Sequence, residues 1–148
     1  MTRINSAINV RRLTDEHLLA EHREIKRLPY CLGKAIASGS VKHIPEKFTL
    51  GTGHVLFFLN KMEFVRQRYC DIYTECIQRG FIAEWYYNNF VGLPREYSNG
   101  YTHTDEERRL LIERITERIM QSKKKTWHYF GKEITKEQAV ELLTDNSN

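Results

Sequence analysis

Glu24 sits among cations at helical spacing. His17, Ala20, Glu24 and Arg27 fall at i, i+3, i+7 and i+10 and so line one side of a helix. Arg23 and Arg27 stand four apart with Lys26 close by. Two kinds of chemistry fit this arrangement. A solvated row of ion pairs is the commoner outcome of such spacing. The sharper one is a single acid working inside a phosphate-binding surface, since guanidinium groups match phosphate oxygens bidentately.

Other reactive groupings fail on spacing. His17 and His22 each follow a glutamate, but they are five apart and on different faces, whereas a shared zinc needs histidines four apart. Cys70 and Cys76 read as small buried hydrophobes. Gly51-Thr52-Gly53 lacks the Lys-Ser/Thr of a phosphate loop, and no GxSxG elbow occurs. Neither a metal nor a cofactor is expected, and a hard nucleophile must lie elsewhere.

The run Lys123-Lys124-Lys125-Thr126-Trp127-His128-Tyr129-Phe130-Gly131-Lys132 interleaves cations with rings. It suits phosphate neutralisation and base stacking. Alternatively, Trp127, Tyr129 and Phe130 close the core while the lysines stay in solvent.

These groups need helices to hold them. Thr14 is a good N-cap, with Asp15 and Glu16 placed where the helix dipole favours negative charge, and that helix is expected to run to about Leu28, before Pro29. A second, seven-turn helix is expected from Gly53-His54 to Gly80. Its stripe is Val55, Phe58, Leu59, Met62, Val65, Tyr69, Ile72 and Cys76. The third opens at a capping box, Thr104-x-x-Glu107, and carries Leu111, Ile112, Ile115 and Ile119 to about Gln121. A short fourth is suggested over 136–143, and residues 29–52 and 81–103 read as turn-rich connectors. The expectation is an all-α single domain over 1–132 with a short acidic C-terminal extension over 133–148, one or two helical turns long.

The chain has 148 residues and a net charge of +4. Residues 133–148 carry −3, which leaves +7 on the first 132 and fits an anionic partner, nucleic acid first. No apolar run reaches the ~18 residues of a membrane span. No apolar signal core follows the first residues. Three cysteines without a CxxC pair read as free thiols of a reducing compartment, so a cytoplasmic location is expected.

Three blocks go further. Met1-Thr2-Arg3-Ile4-Asn5 precedes Asp15-Glu-His-Leu-Leu-Ala-Glu-His-Arg23-Glu24-Ile-Lys-Arg27. Leu50-Gly-Thr-Gly-His-Val55 runs on through Phe57-Phe58, Glu63-Phe64, Arg66, Glu75-Cys76 and Arg79-Gly80-Phe81. Last come Thr126-Trp127 and Tyr129-Phe130-Gly131-Lys132. Over roughly 1–82 and 105–132 the chain resembles the T-even phage pyrimidine-dimer DNA glycosylases, the endonuclease V type.

The resemblance implies a compact three-helix protein with its N-terminal segment threaded between the helices, acting as a monomer on damaged double-stranded DNA, in the host cytoplasm if phage-encoded. It implies a DNA-repair glycosylase with coupled abasic-site lyase activity that flips its target out of the stack. The implied nucleophile is the α-amino group of Thr2, exposed when Met1 is removed. With a reference pKa of ~7.7–8.0, such an amine is partly neutral at physiological pH. Glu24 matches the family's catalytic carboxylate. Arg3, Arg23 and Arg27 match phosphate- and substrate-contacting positions, and Arg114 with Arg118 corresponds to a further basic pair on the DNA backbone. Lys123, Lys124 and Lys125 extend that surface.

The chain departs from the family pattern in carrying His22 before Arg23-Glu24, where members often have tyrosine. Its loop 39–48 has only two lysines, Lys42 and Lys47. Two alternatives stay open: the same chemistry on another damaged or modified base, and a catalytically silent nucleic-acid-binding relative. The joint presence of Thr2, Arg3, Arg23, Glu24 and Arg27 favours the enzyme, because a pure binder has no use for the acid.

Overall fold

In the computed structural model, residues 3–144 are described. Helix α1 is Asp15–Ile25, α2 Arg27–Ser38, α3 His54–Phe58, α4 Met62–Gln78 and α5 Asp105–Gln121. A hairpin of β1 (Trp127–Tyr129) and β2 (Lys132–Ile134) follows, and then α6, Lys136–Thr144. The protein is predominantly helical, as the periodicity predicts.

Helices α1 and α4 pack side by side and span two adjoining cores. Ile25 of α1 with Met62, Val65 and Tyr69 of α4 belong to one core, joined by Leu28 and Leu32 of α2 and by Phe57 and Phe58 of α3. Leu18, Ile72 and Cys76 belong to the other, with Leu111, Ile115 and Ile119 of α5, Trp127 of β1, and Ala139 and Leu143 of α6. The N-terminal thread links them, because Ile4 is buried in the first core and Ile8 and Leu13 in the second. Among the described residues, no helix is long and apolar enough to cross a membrane.

Several boundaries differ from the sequence pattern. The first helix stops at Ile25, and after Lys26 a separate helix runs to Ser38 inside the expected connector. Pro29 falls in the first turn of α2, where its missing N–H is no loss. Gly39, at φ 83°, ends that helix. The expected seven-turn helix is broken at Leu59–Lys61. Lys61 Nζ donates to Phe57 O at 2.9 Å, and Asn99 Nδ2 donates to the Asn60 carbonyl at 2.8 Å. The apolar stripe continues across this break, so periodicity does not reveal it. The hairpin leaves no mark on the periodicity either, because three residues per strand are too few to show alternation. Its turn has φ 52° at Phe130 and 77° at Gly131, the paired positive values of a tight hairpin turn.

Buried ion pairs join these parts. Arg79 contacts Glu75 at 2.8 Å and Asp15 at 2.9 Å, and donates to the Leu13 carbonyl at 2.8 Å. Asp15 also accepts the amides of Phe130 and Gly131 at 3.1 and 2.8 Å, which docks the hairpin turn on the start of α1.

Candidate active site

Three successive amides of the N-terminal thread each find a side-chain acceptor. The Arg3 N–H donates to Glu24 Oε2 at 3.4 Å, Ile4 N–H to His54 Nε2 at 3.2 Å, and Asn5 N–H to Glu21 Oε1 at 3.0 Å. Glu21 and Glu24 are three apart on α1 and so share a face. His54 opens α3, and its Nδ1 lies 2.8 Å from the Thr49 carbonyl. That carbonyl requires Nδ1 to carry the proton, which leaves Nε2 as acceptor for Ile4. Burial pushes the His54 pKa down and favours this neutral form. Arg68 of α4 locks the other side: its guanidinium contacts Glu21 at 2.7 Å and donates to the carbonyls of Asn5 and Ile8 at 2.9 and 2.5 Å.

The thread ends at a cleft of about 140 Å³ whose walls include Arg3, His17, Glu24, His54, Arg114 and Arg118. Glu24 is half-buried here, not on the open face the helical spacing suggested. The cations that share the cleft with it are Arg3 from the thread and Arg114 and Arg118 from α5. Arg114 is held by a 2.8 Å bond to the Leu50 carbonyl, while Arg118 is exposed. Burial lowers the Arg3 pKa, Arg118 lowers it further, and Glu24 partly offsets both. Burial also takes His17 down to about 4, with Arg118 and Lys124 adding to the fall and Glu16 and Glu21 opposing it. His17 is thus a neutral wall of the cleft. Its ring stacks on Trp127 at 5.2 Å between centroids.

Arg23 and Arg27 are exposed and fall outside the cleft's walls, and they do not share one helix as the spacing suggested: Arg23 is on α1 with Glu24, whereas Arg27 opens α2 beyond the break at Lys26. Lys123, Lys124 and Lys125 are exposed too, and Lys124 pairs with Glu16 at 3.1 Å. Trp127 is buried, so this ring closes the core. Phe130 is half exposed, its ring centroid 4.9 Å from the Arg79 guanidinium. Thr2 lies outside the described residues. Among the described residues, no group of three or more His, Cys, Asp or Glu gathers as a metal site.

The sequence reading missed His54, Glu21 and Arg68 as holders of the thread. Glu21 carried a usable signal, because it lies one helical turn before Glu24. His54 and Arg68 carried none, because their partners are 50 and 47 residues away in the chain.

The sequence model of one family, pyrimidine dimer DNA glycosylase, matches residues 1–89. The chain belongs to this family. It is accordingly a DNA-repair glycosylase that binds damaged DNA. The matched segment holds the thread, Glu21 and Glu24 of α1, His54 and Arg68. Arg114 and Arg118 of this glycosylase lie beyond that segment, on the α5 wall facing Glu24.

Proposed function

We propose that this glycosylase excises UV-induced pyrimidine dimers through an imine formed by the Thr2 amine, and then nicks the strand as an abasic-site lyase. The reading is carried by the hydrogen bond of the Arg3 amide to Glu24. Once Met1 is removed, the free amine belongs to the residue joined to that nitrogen, so it starts within about one residue length, ~3.8 Å, of the thread's contact with the acid.

The amine attacks C1′ of the damaged nucleotide's deoxyribose, and the base departs with the electrons of the glycosidic bond. Glu24, as carboxylate, stabilises the cationic sugar and assists the proton transfers. The ring opens to an imine between C1′ and the amine nitrogen. A proton then leaves C2′, the 3′ phosphate departs with the C3′–O electrons, and the strand is cut. Water hydrolyses the imine to release the enzyme. Arg3, Arg114 and Arg118 neutralise phosphates around the cleft, and exposed Arg23, Arg27 and Lys123–Lys125 extend the contact to a bent duplex whose target nucleotide is displaced.

Nicking of UV-irradiated against undamaged DNA, with borohydride trapping on an abasic duplex, tests this. The expected result is selective nicking and a covalent adduct at residue 2. Binding without either would leave a silent relative.

A further inference from the structure

Outside the walls of the cleft stands a second set of polar groups. Ser6 Oγ lies 2.7 Å from His103 Nε2, and His103 Nδ1 lies 2.7 Å from Glu107 Oε1. Tyr101 O–H approaches the two oxygens of the same carboxylate at 2.7 and 2.9 Å. Burial pulls the Glu107 pKa up, but the hydrogen bonds from Tyr101 and His103 outweigh it and keep the group acidic. Burial lowers His103 despite its bond to Glu107, with Arg68 and Arg108 adding to the fall. The proton order is therefore determined: Nδ1–H donates to an ionised Glu107, and neutral Nε2 accepts from the Ser6 hydroxyl. The imidazole itself is held edge-on by Phe48, Phe64 and Tyr101, at 5.0, 5.5 and 5.0 Å between centroids.

Ser6 begins a turn in the thread. The Ile8 N–H donates back to the Asn5 carbonyl at 2.9 Å, a turn centred on Ser6 and Ala7. From Ser6 toward the cleft, the amides of residues 5, 4 and 3 engage three acceptors in succession. Successive Cα atoms are linked at a fixed ~3.8 Å, so a slip at Ser6 is passed along the thread toward Glu24. Misplacement of a reacting group by about 1 Å can cost on the order of a hundredfold in rate.

We infer that Glu107, His103 and Ser6 form a positioning relay that sets how far the N-terminal segment reaches into the cleft, and so the approach of the nucleophile to C1′. This rests on the amine chemistry proposed above. Ser6 and His103 are positioning residues, since neither lines the cleft.

The test is single-turnover borohydride trapping on an abasic duplex, read beside the Kd for that duplex and the melting temperature. Ser6→Ala is expected to slow trapping ten- to a hundredfold with Kd changed less than twofold, and Ser6→Thr to restore the rate to within threefold. Glu107→Gln, which keeps the shape but removes the charge that orders the protons, is expected to slow trapping at least threefold. It decides the matter if Ser6→Ala does not fold. Wild-type rates per folded molecule in these variants, with only melting temperature or Kd reduced, would overturn the relay alone. A wild-type chain that binds the duplex yet is never trapped overturns the amine chemistry and the relay with it.

Discussion

The Glu24 carboxylate lies 3.4 Å from the backbone nitrogen of Arg3, so the acid of α1 and the start of the N-terminal thread meet directly. This contact joins the two halves of the proposed chemistry, a carboxylate and an amine-bearing terminus, across 21 residues of chain. Glu24→Gln keeps the shape and removes the charge that stabilises an oxocarbenium-like sugar. Base excision is expected to fall by about 10²–10⁴, with the melting temperature nearly unchanged because Glu24 lies at a cleft, outside both cores. Near-normal excision by this variant would assign the acid a different role.

Acetylation of the N-terminal amine, or retention of Met1, is expected to abolish the trapped adduct while leaving duplex affinity within a few-fold. Intact mass beside the trapping assay checks it. An active preparation that retains Met1 would exclude the amine as nucleophile.

Arg68 satisfies Glu21 and two thread carbonyls in a dry setting, being 8% exposed against 1% for Glu21. Breaking one side of such a pair strands the other charge. Arg68→Met is expected to destabilise by about 3–5 kcal/mol, and adding Glu21→Gln to recover part of that loss. Urea unfolding of the single and double variants measures both effects. Trapping rates should fall in each, since the thread loses its clamp.

His17 is neutral in the fold down to about pH 4, against 6.5 for the free side chain. The unfolded chain therefore takes up a proton that the native state refuses, and stability declines as pH falls from about 6.5 to 4. At about 1.4 kcal/mol per unit, the loss by pH 4 is on the order of 3 kcal/mol. Burial lowers His22, His54 and His103 as well, which steepens the decline. Urea midpoints at pH 7.5 and 4.5 should show it, and His17→Gln should flatten it.

Arg118 is an exposed wall of the cleft, and its loss should reduce the salt slope of duplex binding by about 0.9, the weight of one phosphate contact. Damaged and undamaged DNA should weaken alike. Arg23→Ala and Arg27→Ala are expected to affect damaged DNA more, because contacts beyond the cleft complete only on a bent duplex. Equal losses on both DNAs would make the end of α1 and the start of α2 a uniform basic face.

The helical character of the chain, the N-cap at Thr14 and the start of α5 at Thr104 are all legible in the residues. Each depends on neighbours within one or two turns, and local periodicity reports such neighbours well. Even there tertiary contacts intervene. Thr104 caps Glu107 N–H at 3.1 Å as the motif predicts, but the Glu107 carboxylate turns to Tyr101 and His103. The break at Leu59–Lys61 belongs to the same class, since Asn99 engages its carbonyl from 39 residues away. What only the folded molecule decided is which groups surround the acid. Helical spacing around Glu24 offered Arg23 and Arg27, whereas packing brought Arg3, Arg114 and Arg118 to the cleft and gave the thread His54, Glu21 and Arg68. Periodicity says which face of a helix is apolar, but the partner of a buried polar group is set by where other elements dock.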